Sequence, residues 1–196
     1  MKNNLQKAIN ANIQIKKKLI YLETKIGLSI NMIIQSIESG GKILFCGNGG
    51  SAADAQHLVA ELVVQLNEKK RPALPALSLA LDSSTMTACA NDLNYNKIFS
   101  RALEGLGKPN DILIILSTSG NSKNIIEVLK KSKKMQIYSI GLLGNNGGKS
   151  KALCDLSIVI DSKITQLIQE CHIFLGHFIL GEVEKKLLKK KIKTKQ

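Results

Sequence analysis

The chain has 196 residues, 44% of them hydrophobic, with 28 Lys and Arg against 15 Asp and Glu and a formal net charge of +13. That is enough chain for one α/β domain with a full core, and no apolar run approaches the ~20 residues that a bilayer span needs. The charge is almost all lysine, gathered at Lys16 to Lys18, Lys130 to Lys134 and a tail over 185–196, and aromatics make up only 4%, so it reads as solvated helix faces rather than a nucleic-acid surface.

The N-terminus, Met1 to Lys7, has no signal-peptide core. Residues from about 5 to 39 carry one long helical pattern. Ile13, Leu19, Leu22, Ile26, Ile30, Ile33, Ile34 and Ile37 recur at helical spacing, with a break expected near Gly27 and a stop at Gly40-Gly41. Strands are expected at 42–46, 76–80, 112–116, 136–141 and 156–161. Helices are expected at 51–66, 83–91, 95–106, 122–134 and 147–153, and a last long helix runs from about Lys163 into the lysine tail. Strands alternating with helices imply α/β architecture. A five-stranded parallel sheet lies between helical layers, in a single domain over 1–196 with an N-terminal helical segment over 1–40. Cys46, Cys89, Cys154 and Cys171 stand apart in apolar surroundings and read as buried, reduced thiols of a cytosolic protein.

Two turns carry chemistry. The first, Cys46-Gly47-Asn48-Gly49-Gly50-Ser51, joins an apolar strand to a helix. Backbone N–H groups converge at such a turn, and the helix dipole favours an anion. It has neither the lysine of a Walker loop nor the G-x-G-x-x-G of a dinucleotide site, so a small phosphorylated ligand fits better than a nucleotide. Ser51 is read as the helix N-cap. The second, Ser117-Thr118-Ser119-Gly120-Asn121-Ser122, follows the buried strand at 112–116 and sets four hydroxyls at another strand-to-helix turn. An ordinary Ser/Thr-rich cap explains one such loop. Two in one chain, at the edge where parallel sheets bind ligands, favour a phosphate.

All three histidines fall in two helices, His57 in the first-turn helix and His172 and His177 in the last. His57 and Glu61 are four apart and share a helix face, as a surface ion pair would, or as two ligands of one Zn²⁺ would. Gln169 and His177 are eight apart, about 12 Å along a straight helix. Either that helix bends, or the two reach one metal from different chains. The last helix is apolar nearly all round, through Leu167, Ile173, Phe174, Phe178 and Ile179, which predicts burial against other subunits.

The chain resembles the sugar isomerase (SIS) domain family, and within it the phosphoheptose isomerases. The match runs through Cys46 to His57, Ala60-Glu61-Leu62, Asn91-Asp92, Ser117 to Ser122, Gly147-Gly148-Lys149 and Ile168-Gln169-Glu170, with His172 and His177. The resemblance implies a flavodoxin-like SIS fold and a cytoplasmic homotetramer with active sites at subunit interfaces. It implies one Zn²⁺ per subunit on His57, Glu61, Gln169 and His177, with Glu61 and His177 as the acid–base pair. Asn48, Gly49, Gly50, Glu61, Asn91, Asp92, Ser117, Thr118, Ser119, Ser122 and Gln169 match substrate-contacting positions, and Ser51 joins the phosphate cradle. The implied reaction converts sedoheptulose 7-phosphate to D-glycero-D-manno-heptose 7-phosphate through an enediol, the first step toward the heptose of lipopolysaccharide or capsule. Val64-Gln65 replaces an expected Gly-Arg, and Leu167 an expected Arg. The alternatives are a relative that binds the replication initiator DnaA, or an isomerase of another sugar phosphate. The DnaA-binding branch lacks the residues that match Glu61 and His177.

Overall fold

The computed structural model describes residues 1–68, 71–80 and 82–193. Five parallel strands form one sheet in the order β2-β1-β3-β4-β5: β1 Ile43–Gly47, β2 Ala76–Ser78, β3 Ile112–Ser117, β4 Tyr138–Gly144 and β5 Leu156–Ile160. Alternation along each strand builds two cores. In β1 and β3, Ile43, Phe45, Ile112, Ile114 and Leu116 face one helical layer, while Leu44, Cys46, Leu113 and Ile115 face the other. The first layer holds α1 (Lys2–Lys18), α2 (Glu23–Glu38), α3 (Gly50–Val63) and α7 (Thr165–Lys193). The second holds α4 (Ser83–Asp92), α5 (Ile98–Leu106) and α6 (Lys123–Lys134). The expected three-layer sandwich is therefore the observed one.

Several boundaries move, each for a physical reason. The N-terminal pattern breaks at a 3₁₀ turn over Leu19–Leu22, where Leu19 is buried, and not at Gly27, which lies inside α2 with open space beside it. β4 begins two residues later than expected, because Gln136 takes a left-handed φ of 56° in the turn after α6. It then runs past Gly141, which is a strand residue: a Cβ there would stand 2.7 Å from Cys154 Sγ. The helix expected at 147–153 is a short 3₁₀ turn, Lys149–Ala152. Residues 185–193 of the lysine tail continue α7, and 194–196 lie outside the described residues. All four cysteines are free thiols, three of them buried and Cys154 half-buried. No helix among the described residues is long and apolar enough to cross a membrane.

Parallel register places the ends of β1 and β3 side by side, Gly47 against Leu116. The turn into α3 and the turn into α6 therefore open at the same carboxyl edge of the sheet.

Candidate active site

Gly49 has a φ of 55°, a conformation that a side chain would strain, and it lets α3 start at Gly50. The N-cap is thus Gly49 and not Ser51. Ser51 is buried in the first helical turn, and its N–H donates to the Asn48 carbonyl at 3.0 Å. Asn48 ties the two turns together. Its side chain exchanges hydrogen bonds of 2.9 and 2.8 Å with Asn124, in the first turn of α6, and accepts one of 3.1 Å from the Tyr95 hydroxyl. Asn124 and Tyr95 were not among the residues expected at the site. Nothing in local spacing marks them, because each bond joins residues at least 47 positions apart. Asn91 and Asp92, exposed at the end of α4, bond to each other at 2.8 Å.

The Ser-rich turn is held by its own polar groups. Ser117 is buried and accepts the Gly120 N–H at 3.0 Å, and Ser119 accepts the Asn121 N–H at 3.2 Å. The Thr118 carbonyl accepts from the Asn145 side chain at 2.9 Å. Ser122 is the N-cap residue of α6 and makes no side-chain cap bond. The adjoining turn presses on this one backbone to backbone. Gly120 has a φ of 64°, and a Cβ there would lie 2.0 Å from the Gly147 carbonyl oxygen. A Cβ on Gly148 would lie 2.6 Å from the Ser119 carbonyl oxygen.

Helices α3 and α7 run side by side in the same direction. At one end the Gln169 amide lies over Gly50, with its Nε2 2.4 Å from where a Cβ would stand. Further along, Gly176 admits Leu58, and His177 meets His57. The two Nε2 atoms are 2.8 Å apart with the rings 81° from coplanar, and His57 Nε2 is 3.2 Å from a Glu61 oxygen. One ligand atom from each of His57, Glu61 and His177 lies within 4.8 Å of the others. Two imidazole nitrogens and a carboxylate oxygen converging in this way are a donor set suited to Zn²⁺, so these three residues fit the metal that the sequence implies. The His57–Glu61 pair is therefore not an isolated surface ion pair. His177 reaches His57 and Glu61 within one chain, while the Gln169 amide lies at the head of α3 against Gly50.

A buried ion pair fixes the far end of these helices. Arg71, side chain 2% exposed, bonds Glu184 of α7, side chain 1% exposed. The same guanidinium donates to the carbonyls of Glu61 and of Leu62, the latter at 2.7 Å, so it caps the last turn of α3. Burial works to raise the Glu184 carboxyl, but the bonds from Arg71 and from the Asn67 N–H outweigh it and hold it below the usual range. The two departures from the family pattern lie near these helices. Val64 and Gln65 are exposed just past α3, and Leu167 is half-buried in the first turn of α7.

The SIS domain family matches residues 9–144 of the chain. A phosphoheptose isomerase of Clostridium acetobutylicum is 42% identical over 98% of this chain and 99% of its own length. The solved structure of phosphoheptose isomerase from Neisseria gonorrhoeae superposes with a TM-score of 0.88 at 34% identity, covering 94% of this chain and 98% of that one. That of a phosphoheptose isomerase from Francisella tularensis gives 0.89 at 29% identity, over 93% and 97%.

Proposed function

The chain belongs to the phosphoheptose isomerases of the SIS domain family, and on that premise we infer that it interconverts sedoheptulose 7-phosphate and D-glycero-D-manno-heptose 7-phosphate. The observation that carries the reading to particular residues is the meeting of His57, Glu61 and His177 in a chain whose two phosphate-type turns open at one sheet edge.

Turning the 2-ketose into the aldose moves a proton between C1 and C2 through an enediol. One group takes a carbon-bound proton while another serves the carbonyl and hydroxyl oxygens. Glu61 is the proposed base and His177 the proposed acid, or the reverse; the group that carries the proton between C1 and C2 does so in both directions of the reaction. The phosphate is assigned to Ser117, Ser119 and Ser122, with Ser51 joining the cradle. Asn48, Gly49, Gly50, Asn91, Asp92, Thr118 and Gln169 are assigned to contacts with the substrate, so that the reacting carbons stay aligned. His57, Glu61 and His177 would hold Zn²⁺, which when bound polarises the substrate carbonyl; Gln169, about 12 Å from His177 along a straight helix, would join them as a fourth ligand across a bend in α7 or from a second chain. We place the reaction in the cytoplasm, as the four unpaired thiols favour. Its product would supply the heptose of a surface glycan.

The test is turnover of sedoheptulose 7-phosphate by purified protein, with and without added zinc, beside Glu61→Gln. Conversion by the wild type, reduced about 10²–10⁴-fold in the variant, is expected. A folded wild-type protein that converts nothing under either condition would sink the reading.

A further inference from the structure

Asp54 stands on the face of α3 that carries the site, four residues after Gly50, three before His57 and seven before Glu61. Residues so spaced form one stripe. The stripe lies along α7: Gly50 meets Gln169, and His57 meets His177. Asp54 therefore sits at the level between those two contacts. Its Oδ2 is buried and has no hydrogen-bond partner. A buried carboxylate oxygen without a donor is costly and calls for an explanation. Burial pushes the carboxyl up, and only charge on His57 and His177 draws it back.

The charge on the centre supplies the reason. Two neutral imidazoles and the Glu61 carboxylate around a divalent cation leave one net positive charge. We propose that Asp54 is a positioning residue that supplies the balancing negative charge and so sets how tightly the His57–Glu61–His177 centre holds a divalent cation. The inference rests on the metal reading above and adds a residue to it that donates no ligand atom. Residues that support metal ligands from outside typically change affinity 10–100-fold. The effect differs from that of Glu61, whose loss removes a ligand and the proposed base together.

The experiment measures zinc affinity by competition with a chromogenic chelator on the intact wild-type protein, on Asp54→Asn and on Glu61→Gln, with the fold followed by circular dichroism. Turnover is recorded at limiting and at saturating zinc. For Asp54→Asn, a zinc Kd raised about 10–100-fold, with turnover largely restored by saturating zinc, is expected. An Asp54→Asn Kd within about twofold of wild type overturns the proposal and leaves the metal reading standing. Wild-type protein that binds no zinc overturns both, and the two failures are thereby distinguishable. Should the asparagine amide disturb folding, Asp54→Ser removes the same charge in a smaller side chain and is judged by the same ratio.

Discussion

Two histidines five residues apart on α7 live in opposite surroundings. His177 opens onto the site, whereas His172 is fully buried, and burial pushes its imidazole down to about 4 against a smaller opposing pull from the Leu143 backbone. The folded chain therefore keeps His172 neutral where the unfolded chain, with a value near 6.5, takes up a proton. The unfolded state binds more protons between these values, so stability is full above about pH 6.5 and is lost as pH falls toward 4. From pH 7 to pH 5 this one residue should remove about 2 kcal/mol. Urea unfolding at the two pH values would read the difference, and His172→Leu should lose that share of it. In the sequence, His172 and His177 looked alike, because what separates them is which way each faces on a helix that is apolar nearly all round. Asp54 was equally hidden: it reads as a polar residue of a helix start, and its buried, unpartnered oxygen is visible only in the folded chain.

At the scale of elements, the helix spacing that made His57–Glu61 legible is local, and the pairing of α3 with α7 is not. Arg71 shows the gap. It carries no motif, and its partners are 113 residues away at Glu184 and 10 away at the Glu61 carbonyl. Removing one partner strands the other as a buried charge, at a cost of about 3–5 kcal/mol. Arg71→Met should therefore unfold at markedly lower urea than wild type when both are compared at one protein concentration. The double variant Arg71→Met/Glu184→Leu should recover much of the loss. Equal midpoints for Arg71→Met and wild type would mean that the clamp contributes little. The five strands, the two turns and the layers were legible because alternation and glycine-rich punctuation are written along the chain, whereas the order of the strands in the sheet was not. The end of β4 was placed three residues early, at Gly141, a close-packed position with Cys154 beside it, whereas the strand runs on to Gly144.

The whole chain leaves large apolar side chains uncovered where α1 and α7 meet solvent: Ile9 and Ile13 on one, Phe174 (45% exposed) and Phe178 (50% exposed) on the other. Large apolar side chains left open in this way are in keeping with the homotetramer that the resemblance implies. Light scattering should give the mass of four chains for the wild type and a smaller species for Phe174→Glu/Phe178→Glu. A monomeric wild type at micromolar concentration would remove the tetramer from the account. The sequence pointed to this surface through an apolar stripe too wide for one partner, but it did not say which residues stay open.

The contact between Gly120 and the Gly147-Gly148 turn has a consequence for how such a chain can change over generations. Two neighbouring turns that touch through bare backbone constrain each other's length, so neither can gain or lose a residue alone. Variation in this corner is then channelled into side chains such as Thr118, Ser119 and Ser122, which can be exchanged one at a time without disturbing the path of the main chain.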